Sequence, residues 1–551
     1  MFKTQRAIHL WLLAAILSSL GLKIWLQIKG VLPFNSDEAI VALMASHILK
    51  GGEHPIFFYG QAYMGSLDAY LVALGFFFLG SKVWVIRFIQ SMLYIGTIIS
   101  TYKIGSLIFN SSKKGLLAAV FISIPTVNVM LYSTVSIGGY GEAILLGNII
   151  LLTTILWLKE IEKTNFEHPP HWGIFAIEFY YRTLFGFLCG FSLWVNGLTL
   201  VYSIPSGLVI LYSYWNVRKQ INRKKIAQNL IGLLFSFLVG SLPWWIYAEK
   251  FGLHLLISEL LGGAVAVEQG GWLVKIFNHT LYFLLFGITA ILGLRPPWDI
   301  KWLGLPLIPF VLVFWGWALY TVVKKIRQKT KTRIYYFLLA GVMVTVTSGY
   351  IFTSFGVDPS GRYFLPFAVP LALLASDIII SAQFRQKIYG TGICLLLVVY
   401  NLCGIIQCAN PTFPGLTTQF DQTTIINHAY DNQLIQFLRD HGETRGYTNY
   451  WVAYPLAFLS NEELIFVPAL PYHQDLRYTN RDDRYKAYDA LVEASPKVAY
   501  ITAHNPALDK MLTQEFQAVD VEWNEIFIGD YHVFYNLSRP VRAGELSMAK
   551  P

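Results

Sequence analysis

The chain has 551 residues, of which 55% are hydrophobic and only 14% are charged, with a formal net charge of +9. Soluble domains carry about 25% charged residues, so this composition excludes a purely soluble protein and indicates a polytopic membrane protein with a smaller non-membrane part. The basic residues fall largely in short clusters between apolar runs, so the positive charge does not indicate a nucleic-acid partner. The four cysteines lie in apolar runs without a CxxC pair, which argues against a disulfide or a zinc site.

Thirteen apolar segments follow one another along the first 409 residues. They are 7–28, 66–80, 83–109, 115–132, 142–158, 183–196, 198–214, 226–247, 277–294, 304–323, 334–353, 363–382 and 388–408. Basic residues near the N-terminus, at 113–114, at 218–225 and at 324–333 predict that these four points lie in the cytoplasm.

The order of these points limits which segments cross the membrane, because two cytoplasmic points are separated by an even number of crossings. Three segments precede 113–114, and the shortest, 66–80, is predicted to be an interfacial or re-entrant helix. Three segments also separate the last two basic clusters, and 277–294 is assigned in the same way, since it is short and starts with Asn278 and His279. About eleven spans remain, with the N-terminus cytoplasmic and the chain after residue 409 extracytoplasmic.

The first outer loop, residues 29–82, carries two adjacent acids, Asp37 and Glu38. Ser36 is predicted to cap a helix that starts there, and the apolar spacing that follows predicts that this helix lies along the membrane surface. Acids in the first turn of a helix are favoured by the helix dipole alone. A carboxylate at the outer membrane surface also suits a general base.

The composition changes after Pro411 to that of a soluble domain. A helix is predicted over 431–440, and strands over 464–467, 498–502, 525–528 and 532–536. The predicted fold is therefore a mainly α, polytopic membrane domain over 1–409, followed by an extracytoplasmic α/β domain over 410–551.

Four stretches resemble one family of membrane enzymes. They are the Asp37-Glu38 loop with its helix, Tyr59–Tyr70 (YGQAYMGSLDAY), Asp358–Pro366 (DPSGRYFLP) and Gly446–Tyr454 (GYTNYWVAY). These stretches resemble the GT-C glycosyltransferases, in particular the family 39-like group of protein O-mannosyltransferases and aminoarabinose transferases of lipid A. The resemblance implies a GT-C fold in the plasma membrane and inverting transfer of a sugar from a polyprenyl-phosphate donor. The acceptor would be a lipid, a polysaccharide or a protein at the outer face, and no cofactor is implied.

The resemblance also assigns roles to acidic residues. Asp37 would be the catalytic base and Glu38 its neighbour. Many relatives carry an aspartate in the second outer loop at the head of the next span, and here that place holds Glu142. The alternative is that Glu142 has no catalytic role and is a solvated acid at the end of a span.

Arg362 and Tyr363 are the predicted binding residues for the donor phosphate. A guanidinium group stays charged and binds phosphate oxygens in bidentate fashion, which suits a phosphate leaving group. The alternatives are that Arg362 extends from a span end to the membrane interface and that Tyr363 belongs to the aromatic belt.

Tyr59, Gln61, Tyr63 and Asp68 are predicted to bind substrate. The two tyrosines and the glutamine would line a sugar pocket, although an aromatic belt at the interface explains the tyrosines equally well. Acids near the membrane are costly and often mark sites, but Asp68 would also serve as a helix cap.

Absent motifs narrow the alternatives. The sequence contains no Asp-x-Asp, no His-Glu-x-x-His and no Walker loop, so metal-dependent use of nucleotide sugars, zinc proteolysis and ATP hydrolysis lack support, and no metal site is predicted. Two other functions stay open: a polar-lipid transporter or flippase, and a non-enzymatic subunit of envelope polysaccharide assembly.

Overall fold

The computed structural model describes residues 2–164, 172–217, 223–263, 270–383, 387–410 and 413–546. It confirms the predicted architecture, a helical membrane domain followed by a smaller domain that contains a β-sheet. The helices of the membrane domain are α1 (Phe2–Ile28), α2 (Ser36–Leu49), α3 (Leu67–Leu79), α4 (Val83–Ile108), α5 (Ser112–Ser123), α6 (Val127–Tyr132), α7 (Tyr140–Thr164), α8 (Trp172–Val195), α9 (Leu200–Val217), α10 (Arg223–Gly240), α11 (Leu242–Phe251), α12 (Leu253–Leu260), α13 (Trp272–Tyr282), α14 (Ile288–Ile291), α15 (Ile308–Arg327), α16 (Arg333–Phe352), α17 (Ala368–Gln383) and α18 (Lys387–Cys408).

Nine helical runs among the described residues are long and apolar enough to cross a membrane, or ten if a bent pair counts as one span. They contain α1, α4, α7, α9, α13 with α14, α15, α16, α17 and α18, and the bent pair is α10 with α11. The predicted interfacial segment 66–80 forms α3, whose 13 residues extend about 20 Å, less than the roughly 30 Å hydrocarbon core of a bilayer.

The prediction that segment 277–294 is too short to cross the membrane is wrong. The segment belongs to a helical run of 20 residues, Trp272–Ile291, that is apolar enough to cross. The interruption falls instead in 226–247, where the chain bends by 67° between α10 and α11. Pro243 follows this bend, and Pro125 lies in a second break between α5 and α6. A proline removes a helix hydrogen bond, which apolar length alone does not reveal.

The helix that carries Asp37 begins one residue earlier than predicted. Asn35, rather than Ser36, is the N-cap of α2, because its side chain accepts a hydrogen bond from the backbone N–H of Glu38 at 3.2 Å. Ten of the fourteen residues of α2 are buried within the protein, and its position along the membrane surface stays a prediction. The helix lies between α3 and helix α20 (Tyr450–Leu459) of the C-terminal domain. A short antiparallel ribbon, β1 (Phe57–Phe58) and β2 (Gln61–Gly65), follows it.

The C-terminal domain is built on a five-stranded sheet. Its strands are β3 (Arg445–Thr448), β4 (Ile465–Pro468), β5 (Ala499–Ala503), β6 (Asn524–Ile528) and β7 (Tyr531–Tyr535), in the order β4-β3-β5-β7-β6. Strand β3 pairs in parallel with β4 and β5, whereas β7 pairs antiparallel with β5 and β6. Helices α19 (Asp431–Asp440), α20, α21 (Ala487–Glu493) and α22 (Pro506–Ala518) complete the domain. The sequence predicted α19 and four of the strands but missed β3, which leads directly into α20.

Candidate active site

Asp37 is half-buried in the first turn of α2, where the helix dipole favours a negative charge. The Tyr450 hydroxyl of the C-terminal domain donates a hydrogen bond to its Oδ1 at 2.5 Å. Among the described residues, the Oδ2 atom has no hydrogen-bond partner. This arrangement fixes the carboxylate through one oxygen and leaves the other available for a proton.

Glu38, unlike Asp37, forms a buried ion pair. Its two carboxylate oxygens accept hydrogen bonds from Nε and Nη2 of Arg87 at 3.0 and 2.8 Å. The Glu38 side chain is 1% exposed and that of Arg87 is 8% exposed. Because Arg87 belongs to α4, this buried pair fastens the loop of residues 29–82 to that helix and leaves Glu38 without a free oxygen.

Arg362 keeps part of its binding capacity free. Its Nη2 forms an ion pair with Oδ2 of Asp358 at 2.6 Å, and its guanidinium carbon is 5.1 Å from the centre of the Tyr363 ring. Its Nε is buried and has no hydrogen-bond partner among the described residues. The Tyr363 hydroxyl is also buried without a hydrogen-bond partner. Buried donors without partners are costly, so this pair of groups suits an anionic ligand that supplies acceptor oxygens.

The backbone before Arg362 is held tightly. The side chains of Asn128 and Tyr132 donate to the carbonyl oxygens of Gly361 and Ser360 at 3.2 and 2.7 Å, and the buried Arg295 donates to that of Pro359 at 3.3 Å. Gly361 has a positive φ of 89°, and a Cβ there would lie 2.3 Å from Oδ1 of Asn128. Only glycine fits this turn without strain, and the turn sets where Arg362 emerges.

A second arginine reaches the site from the C-terminal domain, and sequence reasoning missed it. The guanidinium carbon of Arg484 lies 5.4 Å from the centre of the Tyr450 ring. With its amide oxygen turned toward this arginine, Gln61 accepts from Nη1 and Nη2 at 2.9 and 2.8 Å. Gly60, with φ of 71°, permits this approach, because a Cβ there would lie 2.8 Å from Cδ of Arg484. The neighbouring charge of Asp37 stabilises the guanidinium group.

Asp482 is the second acid close to Asp37. Burial raises the pKa of Asp482 to about 7, against the opposing effect of Arg484, and the negative charge of Asp37 contributes to the rise. Its backbone carbonyl accepts a hydrogen bond from Tyr454 at 3.0 Å. A carboxyl that titrates near neutrality beside another carboxylate is typical of functional sites.

Tyr63 relates the group around Asp37 and Arg484 to the group around Arg362. Burial raises the pKa of its hydroxyl, the guanidinium groups of Arg362 and Arg484 oppose that rise, and Asp37 adds to it. The charges of the acid and of both arginines therefore act on one buried hydroxyl, and Tyr63 lines the same cavity as Tyr363. The structure brings together the predicted residues Asp37, Gln61, Tyr63, Arg362 and Tyr363, and adds Tyr450, Asp482 and Arg484.

An apolar cavity of about 390 Å³ adjoins this site. Tyr63 and Tyr363 line it together with Tyr140, and most of the remaining wall comes from α9 and α16. The wall residues of these two helices are Leu200, Val201, Ile204, Thr345, Val346, Ser348, Gly349, Tyr350 and Phe352. A cavity with such walls accommodates a hydrocarbon chain whose polar end reaches the tyrosines and Arg362.

Tyr59 does not join the other predicted substrate residues. Its hydroxyl donates to Glu53 and contacts Nδ1 of His47 at 3.0 Å, and its ring stacks on Tyr485 at 5.0 Å. Since Tyr485 belongs to the C-terminal domain, Tyr59 holds the first loop against that domain.

Asp68 and Glu142 form a separate buried pair. Asp68 accepts hydrogen bonds from Gln90 at 2.9 Å, from Ser136 and from the Gly139 backbone at 3.3 Å, and Gln90 also donates to Glu142 at 3.4 Å. Burial raises the pKa of Asp68. Among the described residues neither carboxyl has an ion pair with a lysine or arginine, and burial of the two acids side by side favours the protonated form.

This pair contradicts both simple explanations offered by the sequence. Glu142 is 1% exposed and is not a solvated span end. Asp68 does not cap α3, because the N-cap is Ser66. Neither acid has a hydrogen bond or ion pair with Asp37 or Arg362 in the described part of the chain. The same part of the chain holds no group of three histidine, cysteine or acidic side chains suited to a metal ion.

Weak sequence signals existed for two of the missed residues. Tyr450 lies in the aromatic run 447–454, and Arg484 ends the dense charge cluster Arg481-Asp482-Asp483-Arg484. Neither signal indicates that a loop more than 400 residues earlier is the partner.

Comparison with known proteins bears on the fold alone. No family model and no curated protein matches the sequence. Among solved structures, ArnT from Cupriavidus metallidurans bound to undecaprenyl phosphate is 12% identical with a TM-score of 0.58, over 98% of this chain and 99% of that chain. Its apo form is 10% identical with the same TM-score, over 99% and 100%. The archaeal oligosaccharyltransferase AglB from Archaeoglobus fulgidus, in complex with an inhibitory peptide and a dolichol-phosphate, is 12% identical with a TM-score of 0.55, over 91% and 70%. The chain shares the fold of ArnT and AglB.

Proposed function

We propose that this protein is an inverting membrane glycosyltransferase that moves a sugar from a polyprenyl-phosphate donor to an acceptor. The observation that supports it most is the pairing of Asp37, with a free carboxylate oxygen, and Arg362, with an unpartnered Nε. The charges of both act on the hydroxyl of Tyr63, which lines the apolar cavity together with Tyr363. The fold agrees, since ArnT, of the same fold, was solved with undecaprenyl phosphate and AglB with a dolichol-phosphate.

Asp37 is the proposed general base. Its Oδ2 takes the proton from the acceptor hydroxyl or amine as that atom attacks the anomeric carbon. The new bond to the acceptor forms while the bond from the anomeric carbon to the phosphate oxygen breaks, and the phosphate leaves with the electron pair. A single displacement inverts the anomeric centre, and a phosphate monoester leaves without a general acid.

Arg362 is the proposed partner of the departing phosphate. Charge grows on the phosphate oxygens as the bond breaks, and a preorganised guanidinium lowers the energy of that state. The free Tyr363 hydroxyl is placed to donate to the same oxygens, and the polyprenyl chain would occupy the apolar cavity.

The C-terminal domain would complete the site on the acceptor side. Arg484 and Tyr450 lie beside Asp37, so an acceptor approaching this acid meets the C-terminal domain first. The acceptor is a lipid, a polysaccharide or a protein. Glu38 positions the loop through Arg87 in this scheme. Asp68 and Glu142 hold the segment before α7 through Gln90, Ser136 and the Gly139 backbone.

A turnover assay tests the proposed chemistry. Purified protein given a labelled polyprenyl-phosphate sugar and acceptor should release free polyprenyl phosphate, and Asp37→Asn should abolish this release while the fold is retained. Arg362→Ala should lose at least 100-fold in rate, since removal of one group that stabilises a developing anion commonly costs that much. Asp475→Asn, which changes an exposed acid of the C-terminal domain, is the matched control and should leave the rate unchanged. Unchanged turnover in Asp37→Asn would remove the assigned base, and lipid transport without turnover would favour a flippase.

The proposed location is the inner, plasma membrane, with many passes, a cytoplasmic N-terminus and an extracytoplasmic C-terminal domain. Cysteine replacements at the exposed positions Gly52, Asp475 and Lys113 test it. A membrane-impermeant thiol reagent added outside should label the first two and not the third. Labelling of the third alone would reverse the orientation.

A further inference from the structure

A second cavity, of about 830 Å³, lies at the opposite end of the helix bundle from the proposed active site. Helices α15, α17 and α18 contribute its walls. Helix α15 begins at Ile308, shortly after Arg295, which contacts the Arg362 turn through Pro359. Lys324 lies in its last turn, about 24 Å further along the helix axis.

Positive charge without local compensation lines this cavity. Lys324 and Lys325 both belong to the wall, and neither has an ion-pair partner within the described ranges. The acid in the wall, Asp377, is already engaged, because Lys114 binds its Oδ1 at 2.5 Å and the Tyr336 hydroxyl donates to its Oδ2 at 2.5 Å. Asp377 therefore neutralises neither lysine of α15, and among the described residues Lys325 has only a contact of 5.9 Å with the centre of the Tyr336 ring, so both charges can act on an external anion.

The rest of the wall is suited to hydrocarbon. Ile378 of α17 and Ile393 of α18 face the cavity, together with Trp317 of α15. Tyr320 and Tyr389, which are 66% and 64% exposed, also line it. Exposed aromatic rings near the ends of membrane helices are typical of the interface between headgroups and hydrocarbon.

We propose that this cavity binds an anionic glycerophospholipid of the surrounding bilayer. Its phosphate would sit between Lys324 and Lys325, and one acyl chain would lie along Ile378 and Ile393. The walls are helices of membrane length, so a lipid enters sideways from the bilayer, whereas a soluble anion lacks the chain that fills the apolar part. Basic pockets between membrane helices bind anionic lipid headgroups in this way.

Native mass spectrometry of the purified full-length protein tests this site. The probes are phosphatidylglycerol and phosphatidylcholine with the same acyl chains, added separately to delipidated protein. The wild type should retain phosphatidylglycerol preferentially. The double variant Lys324→Gln/Lys325→Gln should bind it on the order of 30-fold more weakly, as expected for loss of two lysine contacts to an anionic lipid.

Two controls separate this site from general surface charge. Lys103→Gln/Lys113→Gln removes two exposed lysines at the same end of the bundle but outside the cavity, and should retain wild-type binding. The circular dichroism spectrum and melting temperature of each variant show whether it folds, and Lys324→Arg/Lys325→Arg should restore binding.

Three results would overturn the proposal: equal retention of the two phospholipids, equal loss in the control variant, or undiminished binding in the folded double variant. Preferential displacement of phosphatidylglycerol by undecaprenyl phosphate would assign the cavity to the polyprenyl lipid instead. Turnover is not used as a readout, so failure here leaves the proposed glycosyl transfer standing.

Discussion

Removal of one partner of the Glu38–Arg87 pair should destabilise the protein more than it alters the chemistry. Both side chains are buried, at 1% and 8% exposed, and two hydrogen bonds of 3.0 and 2.8 Å join them. Loss of one partner leaves an uncompensated buried charge, which typically costs about 3 to 5 kcal/mol. We therefore expect Glu38→Gln to lower the free energy of unfolding by about this amount.

A double-mutant cycle isolates this pair from other effects. Glu38→Leu/Arg87→Met removes both charges with similar side-chain volume, and it should recover most of the wild-type stability, because a buried pair replaced by apolar residues is often neutral. If Glu38→Leu and Arg87→Met each cost about 3 to 5 kcal/mol and the double variant costs almost nothing, the coupling energy is about 6 to 10 kcal/mol. Glu463→Gln, which breaks the exposed pair with Arg439, is the control and should cost less than about 1 kcal/mol.

The assay is unfolding in mixed micelles by titration with dodecyl sulfate, followed by circular dichroism, with turnover measured on the folded fraction. The double variant should be folded and active. If Glu38→Gln were as stable as the wild type but inactive, or if the double variant were stable but inactive, Glu38 would act in the chemistry and the structural assignment would fail.

Three further outcomes test other parts of the structure. Burial raises the pKa of Asp482 to about 7 from a reference value of 3.8, so the folded state holds the proton more tightly than the unfolded state. The free energy of unfolding should therefore fall by about 1.4 kcal/mol per pH unit as the pH rises between these two values. Asp482→Asn should flatten this pH profile in unfolding titrations. Gly361→Ala places a Cβ in a turn with φ of 89° and should lower the free energy of unfolding by about 1 to 3 kcal/mol. It should also remove most of the turnover. The control Gly392→Ala, where a Cβ meets open space, should leave the free energy of unfolding unlowered. Gly349→Leu should reduce the volume of the apolar cavity and raise KM for the donor, whereas Gly207→Leu, outside the cavity, should leave KM unchanged; a Cβ at either position meets open space.

Much of the fold could be predicted from the pattern of apolar and turn residues along the sequence. Apolar length predicted the membrane helices, and alternation with turn residues predicted four of the five strands of the C-terminal sheet. The two errors, the assignment of segment 226–247 and the missed strand β3, have local causes that composition does not reveal. A bend before Pro243 interrupts a segment of sufficient apolar length, and the short strand β3 has only one aromatic residue, Tyr447, and no apolar alternation.

The sequence by itself determined that this is a helical membrane protein with a C-terminal α/β domain, and it pointed to Asp37 and Arg362. It did so because membrane length and secondary-structure period are properties of neighbouring residues. Only the tertiary structure decided which groups meet. Docking of the C-terminal domain on α2 brings Tyr450 and Arg484 to Asp37 across more than 400 residues, and Arg87 engages Glu38. Burial and charge at such a site depend on every element packed around it, and no local stretch of the chain contains that information.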